Sequence, residues 1–190
     1  STIQMVVALK PLHDAAKIKR IVVSTYQAVS GTGQKGIEEL ERQVRDLFNG
    51  RDPENKTYPY RIAFNCLPHI DVFLENDYTK EEMKMVNETK KIMEDYEMRI
   101  TATTIRVPVY RSHSESVNIE LEKEVDLGAM REALAKFPGV TVQDDPSKQE
   151  YPMPLYTSEK DDVYVGRLRR DESCEKSYNM WVVGDQIRKG

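Results

Sequence analysis

The sequence predicts an α+β protein, with a mainly antiparallel mixed sheet and helices packed on one face of it. Segments with apolar residues at helical spacing alternate with β-branched segments along the chain. In the second half, predicted strands outnumber predicted helices, and neighbouring strands there can pair antiparallel. These two observations favour a layer of helices on a sheet over a doubly wound parallel fold.

A helix and a strand are predicted at the start of the chain. Residues 2–16 place apolar side chains at helical spacing, with Ser1 or Thr2 available as the cap. Pro11 removes one backbone donor, so we expect a kink in this helix. Residues 18–28 are rich in β-branched side chains and predict a strand.

Two further helices are predicted before residue 95. Residues 36–48 have one apolar helical face, and Asn49-Gly50 ends that helix. Residues 51–60 form a polar loop. Thr79 and Glu82 form a T-x-x-E capping box, which predicts the start of the third helix.

The second half of the chain predicts four strands and one helix. Met98–Val109 is a long strand, and residues 116–122 alternate in polarity as its neighbour would. Residues 127–137 form a helix that Pro138-Gly139 ends. The last strands are predicted at residues 162–169 and 178–184.

Composition excludes several classes of protein. The 190 residues suffice for one domain with a sizeable core. The net charge of −4 and the scattered basic residues give no case for a nucleic-acid partner, and no apolar segment is long enough to span a membrane. The first residues lack the pattern of a signal peptide. We expect a cytoplasmic protein.

The cysteines suggest neither a metal nor a disulfide. Cys66 and Cys174 are the only two, and no C-x-x-C or His-rich pair accompanies them. We therefore predict no metal site. The apolar neighbours of Cys66 predict a buried structural thiol that is not a nucleophile.

The segment Gly31–Gly36 matches the G-x-G-x-x-G pattern of dinucleotide-binding folds. About 20 residues further on, however, the acidic residue that should end a second parallel strand lies in the polar loop. We therefore predict a tight loop, whose backbone could approach a ligand, in place of a dinucleotide fingerprint.

The most informative segment is Thr104–Glu115, an apolar strand with basic residues towards its end. Arg106 offers a planar fork for carboxylate or phosphate, and His113, seven positions later, can move a proton near neutral pH. Pro108 removes a sheet donor, so the strand lies at an edge or breaks there. Taken alone, such a pair is also common on ordinary surfaces.

Three other residues could take part in chemistry. Glu81 and Lys84 are three positions apart and share a helical face, which fits either a solvated ion pair or a ligand site. Gln27 ends a predicted strand just before the glycine loop, where its amide could orient a bound group or cap the strand.

Five motifs in consistent order resemble the bacterial aspartate-semialdehyde dehydrogenase family across nearly the whole chain. They are Ser1–Leu12, Ser24–Gly33, Glu81–Lys84 with Glu88–Ile92, Arg106–Val109 with Ser112–Ser114, and Met180–Val183. In that family a Rossmann domain binds NADP, and the catalytic cysteine lies in an Asn-Cys-Ser-Thr-Ile-Gln type of sequence. The resemblance implies that residues 1–190 are the substrate-binding and dimerisation domain, a fragment cut just after the nucleophile.

The resemblance implies reduction of L-aspartyl 4-phosphate to L-aspartate 4-semialdehyde, with NADPH and through a cysteine thioester. This reaction belongs to lysine, threonine and methionine biosynthesis. By the same resemblance, His113 is the acid/base and Gln27 orients the reacting carbonyl. It also implies that Arg106 binds the substrate carboxylate, Glu81 its ammonium group and Lys84 the phosphate. Ser30 and Gly31 would approach the nicotinamide end of NADP.

The family also implies a homodimer or homotetramer with a small-molecule substrate and phosphate as partners, and neither nucleic acid nor membrane. Without its thiol and cofactor domain, the chain alone should be inactive. Two alternatives stay open. One is a domain like that of N-acetyl-γ-glutamyl-phosphate reductase, whose substrate has no free ammonium; the other is a non-catalytic dimerisation module.

Overall fold

The α+β class is confirmed by a computed structural model, which describes residues 1–189. One six-stranded sheet contacts a layer of helices. The helices are α1 (Thr2–Ala16), α2 (Gln34–Phe48), α3 (Lys80–Met93), α4 (Leu127–Lys136), α5 (Pro154–Thr157) and α6 (Gln186–Lys189). The strands are β1 (Ile18–Gln27), β2 (Arg99–Arg106), β3 (His113–Leu121), β4 (Val140–Val142), β5 (Val163–Arg170) and β6 (Ser177–Gly184).

Most predicted elements are confirmed to within a few residues. The short elements were missed, because a few residues give too little periodicity to recognise. They are β4, α5, α6 and two 3-10 turns at Val29–Thr32 and Pro146–Lys148. At the start of α1, Ser1 is the N-cap residue, but its hydroxyl makes no capping bond within the described chain. Pro11 lies inside α1, which continues for another turn beyond it.

The sheet has the order β2-β1-β3-β6-β5-β4 and is mixed, not mainly antiparallel. The pairs β1–β3, β3–β6 and β5–β6 are antiparallel, whereas β1–β2 and β4–β5 are parallel. The predicted pairing of the β3 segment with β2 is wrong, because β3 lies between β1 and β6. Helices α2 and α3 provide the long connection that parallel pairing of β1 with β2 requires.

Strand β2 lies at the edge of the sheet and ends at Arg106, two residues before Pro108. This agrees with the edge position that Pro108 predicted, because proline cannot donate to a sheet ladder. The residues beyond it return through a bend to β3, where Ser112 has a positive φ of 68°. The bend brings His113 back to the edge at which β2 ends.

Helices α1, α3 and α4 pack on one face of the sheet and form the main core with it. Met5, Leu9 and Leu12 place α1 at the centre of this layer, and all three are buried. α1 contacts α3 on one side and α4 on the other. Burial of each such side chain contributes about 1.5–3 kcal/mol, so this layer holds α1 firmly against the sheet.

Helix α2 holds the polar loop that follows it, through a smaller apolar cluster and through hydrogen bonds to two buried side chains. The buried carboxylate of Glu39 accepts from the backbone N–H groups of residues 56–58. The amide oxygen of Gln43 accepts from the N–H groups of Ile62 and Ala63, at 2.9 and 3.1 Å. Two side chains of α2 therefore satisfy a loop that has no regular structure of its own.

Cys66 is exposed, so the prediction of a buried thiol is wrong. It lies in an irregular segment after Ala63, where Ile62, Ala63 and Leu67 are buried but Phe64 is exposed like Cys66 itself. Within residues 1–189, no helix is both long and apolar enough to cross a membrane.

The capping box of α3 connects that helix to the edge strand. Thr79 accepts from Glu82 N, and Glu82 Oε2 accepts from Thr79 N at 2.8 Å. The other carboxyl oxygen of Glu82 accepts from Thr104 N in β2 at 2.9 Å. One buried glutamate thus satisfies a helix end and a sheet-edge donor together.

Replacing Thr79 by Ala should lower the free energy of unfolding by about 1 kcal/mol, the usual cost of a lost N-cap. Glu82→Ala should cost more, about 1–3 kcal/mol beyond the cap, because it also leaves the Thr104 N–H buried without an acceptor. Urea denaturation measures both changes. Asn87→Ala, on the exposed face of the same helix, is the control and should change stability by less than about 0.5 kcal/mol.

Candidate active site

The seven predicted site residues line one cavity at the edge where β1 and β2 end and β3 begins. Gln27 pairs with Arg106 across β1 and β2, and Tyr26 pairs with Ser114 across β1 and β3. This register places Gln27, Arg106 and His113 at the same edge. The cavity has a volume of about 500 Å³. The predicted residues that line it are Gln27, Ser30, Gly31, Glu81, Lys84, Arg106 and His113.

Arg106 brings a positive charge into a site where the residue is only 6% exposed. Its Nη1 donates to the carbonyl of Ala28 at 2.7 Å. Burial lowers the pKa of Arg106, while Tyr58 and Glu81 raise it. Because a guanidinium keeps its proton in proteins, the cavity retains a fixed cation with donors left for an anionic ligand.

Gly31 allows Arg106 and His113 to approach the loop that follows β1. A Cβ atom at this position would lie 2.8 Å from Arg106 Nη1 and 3.2 Å from His113 Cε1. Glycine is therefore required here because of space. The G-x-G-x-x-G segment does not belong to a dinucleotide fold, since it leads through a 3-10 turn into α2 and the irregular loop beyond.

His113 is buried, and the Ala28 backbone holds its ring. Its Nδ1 accepts from Ala28 N at 3.0 Å, so in the neutral ring the proton is on Nε2. Burial, the Ser1 amino group and Arg106 hold the pKa of His113 well below its ordinary value of 6.5. The ring is thus a neutral donor at Nε2. It can accept a proton at Nε2 only in the tautomer that breaks the Ala28 bond.

Glu81 and Lys84 bring charges of both signs to the cavity wall. Lys84 Nζ lies 3.8 Å from Glu81 Oε2, and the Lys84 side chain is 55% exposed while that of Glu81 is 17% exposed. Gln27 Nε2 donates to Glu81 Oε1 at 3.4 Å and to Thr25 Oγ1 at 3.2 Å. A long, loosely held Lys–Glu pair can separate to bind a ligand that carries both charges.

Sequence reasoning missed several residues that line the same cavity. Gln186 Nε2 donates to Ser30 Oγ at 2.6 Å and joins the end of the chain to the glycine loop. Gln4 projects from the first turn of α1. Their signals were present but weak: Gln186 follows a strand that ends at this edge, and Gln4 lies on a helix start.

The family described as "semialdehyde dehydrogenase, dimerisation domain" matches residues 9–189. This chain belongs to that family. An aspartate-semialdehyde dehydrogenase of Aquifex aeolicus is 54% identical to this dimerisation domain over 191 aligned residues, which cover all of this chain and 56% of the relative. The domain therefore spans little more than half the length of that relative.

Solved structures share the fold of this dimerisation domain. Aspartate semialdehyde dehydrogenase II of Vibrio cholerae, solved as a complex with ASA, is 45% identical with a TM-score of 0.96. The match covers all of this chain and 56% of the other. The enzyme of Candida albicans, solved with NADP, is 23% identical with a TM-score of 0.71, over all of this chain and 51% of the other. At that identity the match shows the fold alone.

Nitrogen-15 NMR of the imidazole ring should show His113 protonated at Nε2 and unprotonated at Nδ1 at pH 7. Its titration should begin well below pH 6.5, because burial and two nearby cations oppose the charged ring. Since the unfolded chain binds this proton near pH 6.5, stability should fall as pH decreases below that value. His113→Asn assigns the signals, and a His113 ring that titrates at or above pH 6.5 would contradict this geometry.

Proposed function

We propose that this domain binds substrate in an aspartate-semialdehyde dehydrogenase, which reduces L-aspartyl 4-phosphate to L-aspartate 4-semialdehyde with NADPH through a cysteine thioester. The observation that supports this most is the convergence of Arg106, Glu81, Lys84, Gln27 and His113 on one cavity. The relatives that cover the whole chain have the same enzyme's name. The reaction would serve lysine, threonine and methionine biosynthesis.

The charges on the cavity wall complement those of this substrate. Arg106 is a buried cation with a planar fork, suited to the α-carboxylate. Glu81 offers an anion to the α-ammonium group. Lys84, at the exposed side, offers a mobile point charge to the phosphate that leaves. Three charges, each opposite in sign to the substrate group that it faces, would fix the orientation of the substrate.

His113 and Gln27 suit the reacting carbonyl. The Nε2–H of His113 can donate to a thiolate or to an oxygen that gains negative charge, and Gln27 can donate to the same oxygen when its bond to Glu81 opens. His113 can accept a proton at Nε2 only in the tautomer that has its proton on Nδ1, in which the bond from Ala28 N is broken. The glutamine amide therefore orients the carbonyl, and the imidazole moves the proton.

The described residues fit only one end of NADP. Ser30 and Gly31 lie at the cavity wall, where the backbone loop could approach a nicotinamide ring. A bound reduced nicotinamide would supply the hydride. Because a Cβ atom at residue 31 would lie 2.8 Å from Arg106 Nη1 and 3.2 Å from His113 Cε1, a ring bound at this loop would lie next to the residues that hold the substrate.

The thiol nucleophile must come from outside these 190 residues. Cys66 and Cys174 are both exposed free thiols, and neither lines the cavity. Free thiols of this kind persist in a reducing compartment, which favours the cytoplasm. We therefore propose that the domain by itself binds substrate weakly and has no turnover.

A chimaera tests this function. In it, this chain replaces the matching 56% of the Aquifex aeolicus relative. The chimaera should oxidise aspartate semialdehyde with NADP⁺ and phosphate, the reverse reaction, whereas the isolated chain should not. Arg106→Lys should raise KM for the semialdehyde about tenfold or more, because charged hydrogen bonds contribute about 1.5–3 kcal/mol. His113→Asn should lower kcat about a hundredfold.

Arg111→Lys is the matched control for Arg106→Lys. Arg111 lies on the same bend, pairs with Glu159 at 2.7 Å and does not line the cavity. Its replacement should leave KM unchanged. A chimaera that prefers N-acetylglutamate semialdehyde would favour the reductase alternative, in which Glu81 has no cationic partner. Turnover by the isolated chain would contradict the proposal that the thiol nucleophile comes from outside these 190 residues.

We propose that the domain forms its homo-oligomer through the sheet face opposite the helices. This face is partly exposed and includes Val22, Tyr26, Asn118 and Trp181. Two of its rings contact each other, with the ring centroids of Tyr26 and Trp181 5.5 Å apart. A partly exposed surface with polar and aromatic side chains is typical of a subunit interface. A homodimer is the simplest assembly, and a homotetramer would need a second surface.

Val22→Glu should convert the oligomer to monomers, because it places a charge between Thr101 and Asn118 near the middle of this face. Light scattering after gel filtration measures the mass. Ile92→Glu, at another exposed apolar position on α3, is the control and should leave the mass unchanged. If Val22→Glu leaves an oligomer, the interface lies elsewhere. If monomers form while His113→Asn leaves turnover intact, the non-catalytic module alternative is favoured.

A further inference from the structure

A row of buried polar side chains lies directly beneath the cavity. Thr104 in β2, Thr25 in β1 and Glu115 in β3 are side by side in the register, and each is fully buried. The row above them is at the strand ends, where Gln27 and Arg106 line the cavity. The next row towards the core is apolar and consists of Ala102, Val23 and Val117.

Glu115 is the unusual member of this row. Neither of its carboxyl oxygens has a hydrogen-bond partner among residues 1–189. Its neighbours on the adjacent strands, Thr25 and Val182, are uncharged. Burial raises the pKa of Glu115 to about 8, although the Ser1 amino group and the Gln4 amide, both from α1, lower it. At pH 7 the carboxyl group is therefore neutral, since an unpaired buried carboxylate is costly.

Gln4 contacts the strand that carries Glu115. Its Nε2 donates to the backbone carbonyl of His113 at 3.1 Å, and that nitrogen has a second N–H for another acceptor. Gly184, the partner of His113 across β3 and β6, leaves room for the contact. A Cβ at residue 184 would lie 3.3 Å from Gln4 Cβ and Oε1, which is tighter than ordinary packing.

We propose that Gln4 and Glu115 are positioning residues, which hold the first turn of α1 against β3 and so set the place of His113 in the cavity. Gln4 touches the site through the His113 backbone, and Glu115 lies two residues further along the same strand. Arg106, Glu81 and Lys84 come from β2 and α3, so substrate binding should depend less on the pair than proton movement does. The effect on catalysis rests on the proposed function.

The first test compares three variants of the chimaera. Glu115→Gln keeps the shape and a neutral donor and acceptor, so kcat and KM should stay within about twofold of the unmodified chimaera at pH 7. Glu115→Leu removes the polar group and should lower kcat about ten- to a hundredfold with little change in KM, because a displacement of about 1 Å can cost that much. Gln4→Leu should show the same loss, and it replaces Glu115→Leu if that variant does not fold.

Thr104→Val is the matched control. Thr104 lies in the same buried row, and its hydroxyl has no partner among the described residues. Its replacement keeps the shape and should leave kcat unchanged. Equal loss in Glu115→Gln and Glu115→Leu, or no loss in Glu115→Leu and Gln4→Leu, would overturn the proposal.

The second test uses pH. The folded pKa of Glu115, about 8, lies above the ordinary value of 4.5, so ionisation penalises the folded state. The stability gain of Glu115→Gln over the natural residue should therefore grow between about pH 4.5 and pH 8 and level off above it. In the chimaera the Ser1 nitrogen is part of a peptide bond and no longer lowers this pKa, so the kcat of the unmodified chimaera should fall only at or above pH 8, and that of Glu115→Gln should not fall with it.

NMR of the isolated chain separates this proposal from the proposed function. If the unmodified chimaera has no turnover, the proposed function fails. The positioning role is then tested by the NMR signals of the His113 ring alone. The chemical shifts of these signals should change in Glu115→Leu and Gln4→Leu and stay unchanged in Glu115→Gln. Unmoved signals in both leucine variants would reject the positioning role even in an active enzyme.

Discussion

The structure depends on one constraint, the register of β1 between a parallel and an antiparallel neighbour. Parallel pairing with β2 places Gln27 and Arg106, the last residues of the two strands, at one edge of the sheet. Antiparallel pairing with β3 makes that strand begin at the same edge. A slip of one residue in either pair would turn Arg106 or His113 to the opposite face of the sheet. The cavity exists because both registers hold together, and the apolar rows below it hold them.

The protonation states of the buried groups at this edge follow from their partners and their burial. Arg106 keeps its proton under all ordinary conditions, and the Ala28 carbonyl accepts one of its donors. The same residue's N–H holds the His113 ring neutral, so two cations do not compete within a small space. Glu115 below them is neutral for a related reason, since no partner compensates a charge there. Among its deeply buried groups, the site thus combines one permanent charge, on Arg106, with two groups that burial keeps uncharged, His113 and Glu115.

Helix α1 couples the core to the cavity. Its middle is locked by apolar packing, while Gln4 in its first turn contacts the backbone of His113. Packing of the helix layer therefore affects the site directly. The other face of the sheet takes no part in this layer and is partly exposed, and it is the face through which we propose that two subunits pair.

The sequence by itself determined the long elements to within a few residues, together with the start of α3 and the end of α2, because periodicity, the Thr79–Glu82 cap and Asn49-Gly50 act within one or two turns of chain. It also indicated the seven residues that share the cavity. Tertiary structure alone decided that β2 pairs parallel with β1, that Cys66 is exposed, and that Gln4, Gln186 and Glu115 lie in or beneath the site. Strand neighbours and burial depend on contacts between residues far apart in the chain, and local patterns do not encode them.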